Sequence, residues 1–225
     1  MTAKADFQGG VMQTGNDDIE ARAFIFDLLS VSFAYPTEEL YQSLLDGRYT
    51  EELEQQVSKL SKAEPLADMV GELAAYCDNN PAGDYNVFES EYINLFEYNK
   101  DATPLHPNAH LYSEDEPQPV SVYQRLKSKY RDFDIEMASD KVTEQPDHLS
   151  VQLEFFAYLH RLLLEDNDEG NQQKINNALS DFCVELEWTH RWAEQLRTRP
   201  AHAFYQPLVL FLLLMLETVC NENEK

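Results

Sequence analysis

Apolar residues recur at intervals of three and four through most of the chain, which is the spacing of one face of an α-helix. The first such stretch predicts a helix from about residue 17 to Tyr35, with Asn16 as its N-cap and Pro36 after its end. Residues 1–16, with three glycines and no apolar run, are predicted to be a flexible N-terminus. The inward face of this helix would consist of Ile19, Ala23, Phe26, Ser30 and Phe33.

The same reasoning predicts nine or ten helices in a single globular helical domain over residues 17–225. Thr37 and Thr50 are the expected N-caps of two helices, and Pro65 suits the first turn of a third. Residues 134–146 have weak periodicity and end in a proline, so they are predicted to be a hinge between two halves. The helices after the first are expected over about 38–45, 51–60, 65–77, 88–96, 120–133, 147–165, 172–185 and 188–197, and the last begins between 201 and 207 and ends around 220.

A bulky stripe on one predicted helix precedes a long irregular segment. Phe88, Tyr92, Leu95 and Phe96 share one face of the helix. Residues 99–119 follow with four prolines, and loops of that length are usually functional or disordered. The stripe is therefore a candidate binding surface, with ordinary core packing as the alternative.

Composition favours a folded helical protein. The chain of 225 residues is 43% apolar and has only 7 Gly, so it can bury a core. Leu, Glu, Gln and Ala are plentiful while Val and Ile are sparse, which favours helices over strands. The predicted fold class is all-α.

The net charge excludes one class of partner and allows another. With 41 acidic and 17 basic residues the formal charge is -24, which repels nucleic-acid phosphates. An acidic surface attracts a basic peptide, although solubility or a salt-adapted host explains the charge equally well.

The cysteines and the apolar runs indicate the compartment. Cys77, Cys183 and Cys220 are too few and too scattered for a metal or redox motif, and their odd number argues against a complete disulfide framework. The N-terminus lacks the apolar core of a secretory signal, and the longest apolar run, residues 208–216, is about half of what a membrane span needs. We expect a cytoplasmic protein without stable membrane insertion.

No arrangement of residues supports catalysis. Asp147 and Glu154 lie seven positions apart, so on a helix their Cα atoms are ~10.5 Å apart, too far for a paired-acid site. Phosphate-binding loops, dinucleotide fingerprints and nucleophile motifs are absent from the sequence. His106 and His110 have the spacing of metal ligands, but no third ligand is evident and no metal site is predicted. The chain is predicted not to be an enzyme.

The group Asp147, His148 and Glu154 allows two interpretations. Asp147 suits an N-cap, His148 a first-turn position, and Glu154 a surface ion pair. Alternatively, Glu154 lies within an otherwise apolar and therefore buried helix, and a buried carboxylate needs a cationic or donor partner. An arginine of another protein would supply it.

Two segments resemble the motifs of one protein family. Glu91-Tyr92-Ile93-Asn94-Leu95-Phe96 resembles E-Y-x-x-L-F, and the ten residues from Asp147 to Phe156 resemble D-H-x-x-x-E-L-x-F, of the TorD/DmsD/NarJ family of redox-enzyme maturation chaperones. The resemblance covers about residues 21–219. Gln152 stands where the family has an acid, with Glu154 two residues further on.

The resemblance implies an all-α cytoplasmic chaperone that binds the catalytic subunit of a molybdopterin oxidoreductase through its twin-arginine signal peptide until the cofactor is inserted. It implies no resident cofactor, although some relatives are described as binding GTP or the molybdenum cofactor transiently. A monomer or a domain-swapped dimer is implied, with 134–146 as the swap hinge. The signal-peptide site carried over by motif and groove chemistry consists of Tyr92, Leu95, Phe96, Pro104, His106, Asp147, His148 and Glu154.

Two further functions remain open from the sequence. One is a weak nucleotide-dependent enzyme resembling a GTPase, and the other is a helical adaptor that binds folded partners only. Phosphate release would distinguish the first, and binding with and without the partner's leader would distinguish the second. The sequence does not identify the client enzyme.

Overall fold

The computed structural model describes residues 8–79, 84–113, 119–136, 145–199 and 204–221, with side chains from Gly15 onward. Within these residues it is all-helical, without a strand, so the predicted fold class is confirmed. Ten α-helices lie in the described ranges: α1 (Gln8–Phe33), α2 (Glu38–Leu45), α3 (Arg48–Val57), α4 (Glu64–Asn79), α5 (Tyr85–Tyr92), α6 (Pro119–Arg131), α7 (Leu149–Glu165), α8 (Glu169–Glu185), α9 (Trp188–Arg197) and α10 (Tyr205–Cys220). A π-helical turn (Ile93–Glu97) continues α5, and a short 3-10 turn (Ala109–Leu111) lies in the loop before α6.

Helices α1 and α7 pack side by side in opposite directions. The Phe26 and Phe156 rings meet edge to face at 4.7 Å, and the Ser30 hydroxyl donates to the Ser150 carbonyl at 2.9 Å. These pairs order the two helices antiparallel, because a later residue of α1 meets an earlier residue of α7. The inward face predicted for the first helix is the face that carries these contacts.

The apolar helix α10 supplies the aromatic centre of the protein. Tyr205, at its first position, is fully buried and lies 5.1 Å from the Phe96 ring and 6.1 Å from the Tyr92 ring. Phe204, just before α10, contacts the rings of Tyr49 and Phe88. These rings come from separate segments, so α10 and the residue before it join α3 to α5 and to the π-helical turn.

One of the three N-caps predicted for the first three helices was correct and two were wrong. Thr37 is the N-cap of α2 and its hydroxyl accepts from the Leu40 amide, as predicted. Thr50 is not a cap, because α3 begins after Gly47, whose φ of 80° favours glycine. Asn16 is not a cap either, since α1 already begins at Gln8, before the predicted domain boundary at residue 16.

The predicted hinge lies mostly outside the described residues. Of the range 134–146, the structure describes 134–136 and 145–146, so the hinge stays a prediction. Across the described ranges, every helix is too short or too polar to traverse a bilayer.

Two of the three cysteines are bonded to each other. The Cys183–Cys220 disulfide joins the end of α8 to the end of α10 across 37 positions, whereas Cys77 is free and buried. The sequence argued against a complete disulfide framework, and Cys77 remains outside it, but the pairing of Cys183 with Cys220 was not predicted. Both half-cystines are partly exposed at the protein surface.

Reduction of this disulfide is expected to lower the free energy of unfolding by about 2–4 kcal/mol, since the unfolded chain loses a closed loop of 37 positions. Urea unfolding with and without a thiol reductant measures the difference. A Cys183→Ser and Cys220→Ser double variant should match the reduced protein and show no response to the reductant. Equal midpoints for the oxidised and reduced wild type would contradict the prediction.

His160 makes the fold sensitive to mild acid. Burial lowers its pKa from 6.5 to about 4, and the imidazole Nδ1 lies 2.8 Å from the Phe156 carbonyl oxygen, to which it donates. Between pH 6.5 and 4 the unfolded chain binds a proton here and the folded chain does not, so stability is complete above pH 6.5 and falls as the pH decreases, by roughly 3 kcal/mol in total. A His160→Gln variant should show a shallower decrease of the urea midpoint over this range than the wild type. Parallel pH profiles of the two proteins would refute this.

Candidate functional site

One loop connects both sequence motifs. The Leu105 amide donates to the Leu95 carbonyl of the first motif at 2.8 Å. Further along, the Leu149 amide donates to the Pro107 carbonyl at 2.8 Å, and the Ala109 amide donates to the Asp147 carbonyl at 3.0 Å. The loop of residues 104–112, which we call the bridging loop, is thereby fixed to the π-helical turn at one end and to the start of α7 at the other.

The Asp147 carboxylate is the polar centre of this arrangement. It is fully buried and accepts from the Asn108 side-chain amide at 3.1 Å and from the His110 backbone amide at 3.0 Å. The His110 Nδ1 lies 2.6 Å from the same carboxylate. Three donors in the bridging loop therefore converge on one acidic side chain, and the geometry stabilises the loop conformation.

His148, and not Asp147, is the N-cap of α7. The His148 Nδ1 accepts from the Ser150 amide at 3.3 Å, while the residue pairs through its backbone with Asn108 in an isolated antiparallel bridge. The sequence interpretation had assigned Asp147 to the cap. The carboxylate is instead directed to the loop, because three donors there compete successfully with the single amide at the helix start.

The Gln152 side chain of α7 also stabilises the backbone at Asp147. It is fully buried, and its Nε2 donates to the Asp147 carbonyl at 2.7 Å. Its Oε1 accepts from the Trp188 indole at 3.4 Å. An uncharged amide suits this position, since it donates to one partner and accepts from the other without a buried charge.

Glu154 does not belong to the buried group. Its side chain is exposed on α7, so the interpretation of a buried carboxylate in need of an arginine was wrong. The residue lies on the solvent side of the helix, where Arg161 is half-buried and pairs with Asp27. Glu154 is therefore a surface acid of α7.

The aromatic motif lies in the core beneath the bridging loop. Tyr92, Leu95 and Phe96 are 1%, 4% and 0% exposed, so they line no open groove in this conformation. Phe96 packs at 5.8 Å from the Trp192 ring, and the Trp192 indole donates to the Leu105 carbonyl at 3.0 Å. The motif therefore fixes the position of the loop from below.

Glu91, the acid of the first motif, has an unusual environment. Its Oε2 atom is buried and has no hydrogen-bond partner within the described ranges. Burial raises the pKa of this carboxyl group above its ordinary value. It is therefore easier to protonate than an exposed glutamate.

The outer face of the bridging loop is partly apolar. Pro104 and His106 are partly exposed, Leu111 is 51% exposed, and Val120, at the start of α6, is 62% exposed. The Tyr112 ring stacks on Trp188 at 5.6 Å, and burial raises its pKa to about 12. Two exposed aliphatic side chains thus flank the segment that Asp147 holds.

The histidines of the loop have different surroundings. The His110 ring bonds to the Asp147 carboxylate and meets the Tyr123 ring edge to face at 5.7 Å. The His106 side chain is partly exposed. Among the residues that the structure describes, no three His, Cys, Asp or Glu side chains are grouped as metal ligands.

Sequence reasoning found part of this site. The structure brings Pro104, His106, Asp147 and His148 to one loop, and places Tyr92, Leu95 and Phe96 below it. Sequence reasoning did not assign Asn108, His110, Trp192 or the exposed Leu111 and Val120 to this site. The sequence contained one signal for Asn108 and His110. An amide and an imidazole side chain in a proline-containing loop can donate hydrogen bonds to a buried acid.

Comparison with known proteins gives three matches. Residues 59–196 match the family described as nitrate reductase delta subunit. The chlorate reductase assembly chaperone protein of Ideonella dechloratans is 30% identical over 139 residues, which are 57% of this chain and 67% of that protein. A crystal structure of a candidate redox enzyme maturation protein from Archaeoglobus fulgidus has the same fold, with a TM-score of 0.50 and 18% identity over 86% of this chain and 93% of that one.

An all-helical chain in which these two motifs meet at one loop falls into the class of redox-enzyme maturation chaperones, and the predicted resemblance to the TorD/DmsD/NarJ type is confirmed. More specifically, the chain belongs to the nitrate reductase delta subunit family, whose match includes both motifs and the bridging loop.

Proposed function

We propose that this chain is a cytoplasmic assembly chaperone for the catalytic subunit of a molybdopterin oxidoreductase, which it holds by the twin-arginine leader until the cofactor is inserted. The observation that carries the proposal is that the family match spans both motifs and the loop that joins them. A relative named as an assembly chaperone of chlorate reductase supports the same client class. The molybdenum cofactor belongs to the client, and no turnover by this chain is proposed.

The leader would bind over the bridging loop and the start of α6. Leu111 and Val120 are exposed there and offer apolar area to the apolar stretch of a leader. A twin-arginine segment carries two guanidinium groups, which the net charge of -24 attracts. Exposed Glu154 is accessible to these guanidinium groups, whereas Asp147 is buried and its oxygens already accept three hydrogen bonds.

Asp147 is a positioning residue in this proposal. It determines the loop conformation that presents Leu111, and Tyr92, Leu95 and Phe96 support that loop from the core. His106 and Pro104 form the accessible rim. The motif residues thus act on leader binding through the loop without lining a groove themselves.

Calorimetric titration of twin-arginine leader peptides against the purified protein tests the proposal. Leu111→Asp and Val120→Asp should each weaken binding about tenfold or more, because each replaces an apolar contact by a charge. Val184→Asp is the matched control, since Val184 is 65% exposed on α8 and should leave binding unchanged. The site assignment fails if the three variants behave alike, and the leader proposal fails if no peptide binds saturably.

A further inference from the structure

A groove of about 500 Å³ lies between α3 and α4, on a different part of the molecule from the bridging loop. Its base is apolar, with Val57 of α3 and Val70 of α4 almost fully buried. The α4 wall carries Ala67 and Gly71, both exposed and one turn apart. Side chains this small leave room for the side chains of a second molecule.

Gly71 keeps the groove open. A Cβ atom at this position would have no atom within 4 Å of it, so the space beside α4 is free for an occupant. Glycine in the interior of a helix is unfavourable compared with almost any other residue. Packing against the rest of the protein therefore does not require this glycine.

The rim of the groove is acidic. Glu51 and Glu54 of α3 and Glu64 of α4 line it, and all three side chains are exposed. None of them makes an ion pair with a described residue. An apolar base between unpaired carboxylates is complementary to an apolar face with cationic flanks.

Opposite sides of α1 contact α3, which lines the groove, and α7, whose start is bonded to the bridging loop. Ser32 of α1 bonds with Tyr49 of α3 at 2.9 Å, whereas Ser30 bonds with Ser150 of α7. Two positions along a helix correspond to a rotation of about 200°. Among the described residues that line the groove, none belongs to the bridging loop or to α6, so a molecule in the groove and a leader at Leu111 would contact different residues.

We propose that the α3–α4 groove is a second docking site, which takes a cationic amphipathic helix of a partner protein. The apolar face of that helix lies on Val57, Val70 and Ala67, and its Lys or Arg residues meet the glutamates of the rim. A second copy of this chain does not suit the groove, because each copy carries a charge of -24. The proposal goes beyond leader binding and does not depend on it.

Fluorescence anisotropy with two synthetic helices tests the charge requirement. Both probes have about 14 residues with Leu on one face; one has Lys at the flanking positions and the other has Glu. The Lys probe should bind saturably and about tenfold or more tighter than the Glu probe, with a difference that decreases at high salt. Equal affinity of the two probes would refute the proposal.

Filling the groove tests its location. Gly71→Leu should weaken the Lys probe about tenfold, while its higher helix propensity maintains the fold. Gly15→Leu is the matched control, because Gly15 is also an exposed helical glycine without neighbours at its Cβ position. If Gly71→Leu binds like the wild type, or if Leu111→Asp weakens the probe equally, the groove is not the site.

Reversing the rim charges provides an independent measurement. The triple variant Glu51→Lys, Glu54→Lys and Glu64→Lys should weaken binding of the Lys probe and remove most of the salt dependence of that binding. The control variant Glu165→Lys, Glu194→Lys and Glu217→Lys, at positions exposed on other helices, has the same net charge and should bind the probe like the wild type. Equal losses in both triple variants would mean that the probe senses only the overall charge, which would overturn the assignment.

Discussion

Asp147→Ala is expected to lower the free energy of unfolding by about 3–5 kcal/mol, because it removes a fully buried carboxylate that accepts three hydrogen bonds. The Asn108 amide and both His110 donors then lose their acceptor, and the His110 side chain is only 18% exposed, so water replaces the carboxylate poorly. Urea unfolding followed by circular dichroism measures the change. Limited proteolysis should show faster cleavage in the bridging loop.

Two further variants determine how Asp147 acts. Glu154→Ala removes an exposed carboxylate from α7, the helix that follows Asp147, and should change stability by no more than about 0.5 kcal/mol. A double-mutant cycle of Asp147→Ala with His110→Ala should give a coupling of about 1–3 kcal/mol, since the two side chains are in direct contact. If the two losses were additive, the His110–Asp147 contact would not stabilise the loop.

The loss of loop structure should also appear in leader binding. In our proposal Asp147 touches no part of the leader, so Asp147→Ala should weaken binding only because Leu111 is no longer held in place. A thermodynamic comparison of wild type and variant would then show a larger unfavourable entropy of binding for the variant. Direct contact of the carboxylate with the leader's arginines would instead appear as a loss of salt dependence.

Local signals predicted the fold well where they were strong. The bounds of α9 were predicted correctly. The cap at Thr37 was also predicted, because it depends only on the Thr37 hydroxyl and the backbone amide of Leu40, three positions further on. The start of α1 was missed because glycines at positions 9, 10 and 15 have low helix propensity, yet α1 passes through them. Local patterns do not predict contacts between distant segments, such as the Cys183–Cys220 bond.

The exposure of Glu154 agrees with the first of its two interpretations, a surface position, and the sequence contains a signal for it. Glu154, Arg161 and Glu165 are spaced by seven and four positions, which places them on one polar face of α7. The structure has this face towards solvent, with Glu154 and Glu165 exposed. The apolar residues on two sides of α7 concealed the face, because Val151 precedes Glu154 by three positions, Tyr158 lies between Glu154 and Arg161, and both are only half-buried.

The site itself was predictable only in outline. Both motifs were located by resemblance, but their connection requires hydrogen bonds across 37–39 positions, from Asn108 and His110 to Asp147. No local pattern encodes such a pairing. The burial of Tyr92 and Phe96 followed from their periodicity, which favoured core packing as readily as a binding surface.

Trp192→Ala is expected to have the other large effect, a loss of about 3–5 kcal/mol in the free energy of unfolding. The indole is fully buried and contacts the Phe33 ring at 5.5 Å and the Phe96 ring at 5.8 Å, so truncation leaves a large cavity between α1 and the first motif. It also removes the hydrogen bond from the indole to the Leu105 carbonyl. Urea unfolding of purified variants provides the measurement.

Trp192→Phe separates the two contributions of this side chain. Phenylalanine keeps most of the aromatic packing and removes the donor to Leu105, so the expected loss is about 1–2 kcal/mol. If the indole holds the bridging loop as we infer, this variant should weaken leader binding more than Val184→Asp does, although the core remains folded. Normal leader binding by Trp192→Phe would show that packing alone positions the loop, and a stability loss as large as that of the alanine variant would show that the hydrogen bond dominates.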